Sequence, residues 1–292
     1  MKSVQIYEEF MFEKYEEDRK RHDEWRFHYQ QLQEVFELTL LRNQQTNIKI
    51  GLVGCGLCPC GRDLPTDFIP KYVISGKVSC MILFDISMSI LKIAKENLRE
   101  NGFPKNKADF RNIDITFGRA EAIGNMILNI ISLNDKEAIL GSLKEILPLR
   151  MQIKKQKCDV NLDFIYSPMT LLATLNPFIT KTFEKLRNLK ISSQFYETIK
   201  FEIERIWKQH NEKTIIELFH FFNVINRLQD WLIVTEVCEN RFNGTRQERT
   251  FRPLSDLISE IADPLFLSVE EPWIWMDSDD HYHEVHAIHF RC

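Results

Sequence analysis

Short continuous apolar runs alternate along this chain with longer stretches whose apolar residues recur every three or four positions. Ile48 to Val53 and Cys80 to Phe84 are runs of the first kind. Apolar runs of that length, bounded by turn signals, predict strands buried on both faces. A further run falls at Trp231 to Val237. Between them the period lengthens to that of a helix. Residues 62–75, with Pro65 in the first turn, predict a helix kinked at Pro70, and residues 89–101 predict another, stopped by Gly102. Ile123, Ile127, Ile130 and Ile131 mark a helix in a segment inserted at about 118–157. A second helix there ends before Pro148. Residues 175–222 read as largely helical, and 253–261 as one more helix. Asn243-Gly244 is a turn. Trp273 to Met276 and Glu284 to Phe290 close the chain as two strands about the turn Asp277 to Asp280.

Strands alternating with helices predict an α/β protein, with a mostly parallel sheet, helices on both faces and a C-terminal antiparallel hairpin. Before the first strand, residues 5–44 hold no Pro or Gly and carry Phe10, Tyr15, Trp25, Leu32, Phe36 and Leu40 at helical spacing. This stretch predicts two amphipathic helices. The division expected is a helical N-terminal cap over 1–46 and a sheet domain over 47–292.

The first strand runs into glycines at 54, 56 and 61. Small residues between a strand and a helix let the backbone approach a ligand closely. The plain alternative is an ordinary tight turn. The second strand ends in Asp85, and an acid there can hold the two hydroxyls of a ribose. Asp85 lies about 30 residues beyond Gly54, against about 20 in the dinucleotide fingerprint, and the third glycine of that fingerprint would fall on Pro59. NAD and FAD therefore fit poorly.

Gly54-Cys55-Gly56, followed by Leu83-Phe84-Asp85-Ile86-Ser87, resembles the first two motifs of the Rossmann-like (class I) S-adenosylmethionine-dependent methyltransferases. Asp109 to Ile115 resembles the third strand of that family, Leu162 to Pro168 the fourth with its acceptor-facing loop, and Trp231 to Glu236 the fifth. The resemblance implies S-adenosylmethionine (SAM) as cofactor. It places Gly54, Cys55, Gly56, Asp85, Ile86, Asp114, Ile115 and Ser167 around that cofactor, and Tyr166, Pro168 and Glu236 toward the substrate. It implies methyl transfer, most simply to a small-molecule acceptor, with the N-terminal helices over the substrate cavity. Two positions depart from the family pattern: Leu52 stands where an acid is usual, and Cys58 where a third glycine is usual. The departure at Leu52 keeps open transfer of another arm of SAM, aminopropyl or aminocarboxypropyl. A catalytically silent Rossmann-like binding protein is the alternative from a different class. Ser167-Pro168-Met169-Thr170 only echoes the Ser-Pro-Pro-aromatic loop of enzymes that methylate amino groups of bases, because its fourth position lacks the aromatic.

Glu236 reads in two ways, as a pocket group that orients or deprotonates an acceptor or as a helix-capping carboxylate; the first is preferred, and it is the one candidate catalytic residue. Composition narrows the partners. The net charge is −4, and the basic run Arg150 to Lys157 has no aromatic residue to stack on a base. Nucleic acid is thus an unfavoured substrate. No apolar run reaches the ~18 residues of a membrane span, and an odd number of cysteines, seven, suits reduced thiols. A cytoplasmic protein is expected. No metal is expected either. Cys55, Cys58 and Cys60 lack a second cysteine pair. On a strand His283 and His289 share one face while His286 takes the other.

Overall fold

The computed structural model describes residues 3–21, 26–55, 72–73, 75–100, 102–133, 135–151, 160–168, 174–189, 191–222, 230–241, 248–249, 265–269, 273–278 and 281–291. Helices α1 (Ser3–Arg21) and α2 (Arg26–Arg42) precede strand β1 (Ile48–Val53). Then come β2 (Val78–Asp85), α3 (Met88–Glu100), β3 (Ala108–Asn112), α4 (Arg119–Ile130) and α5 (Lys136–Lys144). The chain continues through β4 (Phe164–Pro168), α6 (Asn176–Arg187) and α7 (Ser193–His220). It ends in β5 (Asp230–Arg241), β6 (Glu248–Arg249), β7 (Leu265–Val269), β8 (Trp273–Ser278) and β9 (His281–Arg291).

The strands form one sheet in the order β3-β2-β1-β4-β5-β9-β7, with β6 paired to β5 and β8 to β9. The pairs β3-β2, β2-β1, β1-β4 and β4-β5 are parallel. β9 runs antiparallel to β5, β7 and β8. The expected α/β, Rossmann-like sheet with an antiparallel C-terminal hairpin is thus present. The order reverses at β1: β2 lies on one side and β4 on the other. In open α/β sheets ligands bind at that switch point, beyond the carboxyl ends of the strands.

Both faces are covered, which is why β1, β2 and β4 are apolar at almost every position. Ile50, Leu52, Leu83, Phe164, Tyr166 and Leu232 pack with Leu32, Val35, Phe36 and Leu40 of α2 and with Ala94 and Leu98 of α3. The alternate residues Val53, Ile82, Phe84, Ile165, Trp231 and Ile233 pack with Ile215, Leu218 and Phe219 of α7 on the other face. A third apolar cluster joins α4, α5, α6 and the first half of α7, with Ile6 of α1 among its members. There α4 and α6 meet closely at Gly124, where a Cβ would stand 2.1 Å from the Phe178 ring.

Several boundaries differ from expectation. α2 lays its buried stripe on a core shared with β1 and β4. The predicted helical stretch 175–222 is two helices. Ser192 caps the second by accepting from the Phe195 N–H at 3.3 Å. β3 stops at Asn112, two residues before the acid expected to end it. β5 and β9 run longer than their apolar cores, and β7 is an additional strand. The predicted helices at 62–75 and 253–261 and the turn at Asn243-Gly244 lie outside the described residues, apart from a helical Tyr72-Val73 and the turn residue Ser75.

Candidate functional site

β1 ends at Val53, and Gly54 turns the chain with φ +66°, a conformation that favours glycine. The N–H groups of Gly54 and Cys55 both donate to the Phe84 carbonyl, at 2.9 and 3.1 Å. The turn is thereby tucked against the end of β2, with its first two N–H groups already satisfied by the protein. Gly56 lies outside the described residues, as do Cys58 and Cys60.

Asp85 ends β2 and is only 2% exposed. Its Oδ1 accepts from the Ser87 N–H at 3.0 Å, and its Oδ2 accepts from the Tyr7 hydroxyl at 3.3 Å. Ser87 caps α3 by accepting from the Ile90 N–H at 3.1 Å, and its hydroxyl donates to Glu8 Oε1 at 2.5 Å. Asn112, the last residue of β3, donates to the carbonyls of Asp85 and Ile86 at 3.2 and 2.6 Å. Helix α1 therefore lies across the end of β2. Glu9 of the same helix pairs with Lys181 of α6 at 2.7 Å. Burial, the Asp85 charge and Cys55 together hold the Tyr7 phenol well above its ordinary pKa, so it remains a proton donor at neutral pH.

Asp114 is differently engaged. Its Oδ1 accepts from the N–H and the hydroxyl of Thr116, both at 2.7 Å, and its Oδ2 from the Gly118 N–H at 2.6 Å. This closes the loop from β3 to α4 and holds Phe117 at φ +54°. Ile115 is buried in the core beneath α7.

At the end of β4 the parallel register sets Tyr166 beside Leu52 of β1 and Ser167 beside Ile233 of β5. Tyr166 is fully buried on the α2 face, edge-on to Phe36 with centroids 5.0 Å apart. Ser167 accepts from the Trp231 indole N–H at 3.0 Å. Both side chains are packed into the sheet. Pro168 is the last residue of β4, level with Val234, and Glu236 lies two residues farther along β5. The side chains of Pro168 and Glu236 lie outside the described residues.

A constellation the sequence reading missed surrounds Arg119, the first residue of α4 and fully buried. Its Nε donates to His210 Nδ1 at 3.3 Å, one terminal nitrogen donates to Thr214 Oγ1 at 2.7 Å, and the other pairs with Glu217. Because Arg119 can only donate, His210 Nδ1 must be the acceptor. Its proton is then on Nε2, which donates to Thr174 Oγ1 at 2.9 Å. Burial, and then the Arg119 charge, push the His210 pKa well below its ordinary value, so the ring is neutral. One signal could have found this cluster: His210, Thr214 and Glu217 form a polar stripe at i, i+4 and i+7, beside the buried Asn211.

At the start of β5, His289 lies 3.4 Å from Asp230, which accepts from Asn43 at 2.8 Å, and earlier on β9 His286, level with Thr235, pairs with Glu284 at 2.6 Å. Among the described residues no three His, Cys, Asp or Glu side chains gather to hold a metal, and no helix is long and apolar enough to cross a membrane.

No family model matches this sequence, and no curated protein matches it. Among solved structures the chain is similar to magnesium protoporphyrin IX methyltransferase from Synechocystis PCC 6803 with bound SAM. The identity is 8% and the TM-score 0.41, over 89% of this chain and 79% of that one. It is similar to the cyclase SpnF at 11% identity and a TM-score of 0.44, over 89% and 80% of the two chains. It is also similar to an S-adenosylmethionine-dependent methyltransferase from Mesorhizobium loti, at 11% identity and a TM-score of 0.40, over 88% and 98%.

Proposed function

We propose that the chain binds SAM at the switch point between β1 and β4 and transfers its methyl group to a small-molecule acceptor. The observation that supports this most is Asp85. It is a buried carboxylate at the carboxyl end of β2, beside the turn at Gly54, in a sheet that continues β4-β5 and closes with an antiparallel strand between β5 and β7. Two structures to which the chain is similar carry SAM in their names or S-adenosylmethionine dependence, which agrees with the reading.

The donor set fits such a cofactor in part. Asp85 has the charge and place to accept both ribose hydroxyls, with Ser87 N–H keeping one oxygen oriented. Gly54 and Cys55 have spent their N–H groups on Phe84, so their contribution, with Gly56, is close approach. Ile86 and Ile115 would flank the adenine. Asp114 would act by shaping the loop that carries Ile115, because its oxygens are committed to Thr116 and Gly118. Ser167 would support the floor of the site through Trp231. Tyr166 packs beneath that floor, and Pro168 and Glu236 lie on the acceptor side by register.

Bound SAM supplies a methyl group on a sulfonium, already electrophilic, whose sulfur keeps the electron pair of the broken C–S bond as a neutral thioether. The protein then has to align the acceptor lone pair with that bond and shield it, and alignment alone supplies much of the rate. The acceptor loses a proton, for which Glu236 is the base proposed.

Calorimetric titration with SAM and with S-adenosylhomocysteine (SAH), on the wild type and on Asp85→Asn, tests this. Wild-type binding weakened about 10- to 100-fold by the substitution is expected, the worth of a hydrogen bond to a charged group. A folded wild-type protein that binds neither compound overturns the reading.

A further inference from the structure

We propose that helix α1 is a self-inhibitory latch: the Tyr7 hydroxyl occupies the Asp85 oxygen that a nucleoside ribose would take, so cofactor binding requires α1 to move off the end of β2. The proposal rests on the cofactor reading above and adds regulation to it.

A ribose diol presents two donors and engages a carboxylate through both of its oxygens. Here the two oxygens of Asp85 are divided, with Oδ1 held by the backbone of Ser87 and Oδ2 held by Tyr7, 78 residues away in sequence. The next residue of the helix repeats the arrangement. Glu8 accepts from the Ser87 hydroxyl, beside the same strand end, while the Ser87 oxygen goes on capping α3. Two consecutive side chains of α1 are therefore aimed at the two polar residues that terminate β2. Tyr7 stays protonated at neutral pH for the reasons given above, so the donor is present under all conditions in which a cofactor would bind.

The fastening is light. Among the described side chains of α1 only Ile6 is fully buried, at 3% exposure, with Val4, Tyr7, Phe10 and Met11 half-buried, whereas α2 buries Leu32, Val35, Phe36 and Leu40. A further tie among the described residues is the Glu9–Lys181 pair, in which the glutamate side chain is 45% exposed. Exposed pairs of this kind hold weakly and are screened by salt. The Tyr7–Asp85 hydrogen bond, at 3.3 Å, is longer than the usual O–H···O range of about 2.5–3.0 Å. A helix whose described contacts are largely half-buried or polar can be displaced by a ligand that offers Asp85 a better partner. When the competent state is only partly populated, apparent affinity falls by that fraction.

The test compares the full-length chain with Tyr7→Phe, which deletes one hydroxyl and keeps the ring. With SAH as the probe, the variant should bind about 3- to 10-fold tighter, with most of the gain in the association rate. Amide exchange over residues 3–21 should be faster in the ligand-free variant than in the wild type. It should rise in the wild type when SAH is added. Weaker SAH binding by the variant would overturn the latch, since Tyr7 would then contact the cofactor. Protection of α1 by SAH would also overturn it, because the helix would be closing over the ligand. Equal affinity and equal exchange would reduce the contact to packing, and again the latch falls while the cofactor site stands. Absence of SAH binding in both folded proteins removes the cofactor site and the latch with it.

Discussion

Asp85 and Asp114 follow neighbouring parallel strands, yet one faces outward to another part of the chain and the other is sealed into its own loop. Asp114 spends its oxygens within four residues, on Thr116 and Gly118. The loop it closes delivers Arg119 to α7, where its Nε and both terminal nitrogens meet His210, Thr214 and Glu217. Among the described residues Asp85 accepts locally from Ser87 and, from α1, from Tyr7. An acid whose partners are backbone groups of its own turn has a structural task. An acid whose partner is a side chain on a lightly held helix can exchange that partner for a ligand. In the proposed cofactor site the end of β3 is therefore the fixed wall, and the end of β2 the exchangeable side.

The largest effect expected lies in the fixed wall. Arg119→Met removes the one cation from a buried set, leaving Glu217 without its guanidinium and His210 Nδ1 without a donor. Removing one partner of a buried ion pair costs about 3–5 kcal/mol. Urea denaturation should show that loss. Adding Glu217→Gln to the variant should recover part of it, since the charge left to Lys213 alone, at 3.4 Å, is then gone. A loss below about 1 kcal/mol, within the range of an exposed pair, would mean the wall is not held by this network.

Asp114→Ala should come next, at about 2–3 kcal/mol, because it strands two backbone N–H groups and a hydroxyl and releases the loop that holds Phe117 at positive φ. It sharpens the contrast with Asp85 through its second readout. SAH affinity, measured calorimetrically at a temperature where the variant is folded, should stay within about threefold of wild type, far from the loss expected of Asp85→Asn. A variant of normal stability that no longer binds SAH would reverse the assignment and make Asp114 a ligand contact.

These two acids also mark what the sequence could disclose. β1 and β2 were legible because strands buried on both faces leave uninterrupted apolar runs, and Asp85 was legible because it stands directly after one of them. The end of β3 was misplaced by two residues: Asp-x-Thr-x-Gly is a local turn signal, and the apolar Ile113 and Ile115 beside it disguised the turn as strand. Tyr7 could not be assigned to the site from its neighbours, because nothing within α1 indicates what its polar side chains face. Tyr166 was read as facing the acceptor from its place at a strand end, whereas the two-residue period of β4 turns it toward Phe36 and α2. His210 was hidden for a related reason. Its partners come from α4 and from the segment after β4, and only the spacing to Thr214 and Glu217 hinted at an inward polar stripe.

His210 gives the smallest of these effects and the one with a definite pH signature. In the folded protein burial and Arg119 keep its pKa well below the ordinary histidine value, while in the unfolded chain it returns to about 6.5. The unfolded state therefore binds a proton that the folded state refuses, and stability rises with pH through that interval. The contribution is complete above about pH 6.5 and is lost as pH falls below it, at no more than about 1.4 kcal/mol per pH unit. His210→Gln should flatten the stability profile by that slope on the acid side while leaving the region above pH 7 parallel to wild type. The other histidines are common to both proteins and drop out of the difference. The Asp85 side of the site should not respond to this substitution, so amide exchange over α1 should match wild type at neutral pH. If exchange over α1 changed together with the profile, the two strand ends would be coupled through the sheet, and the division into a fixed wall and an exchangeable side would fail.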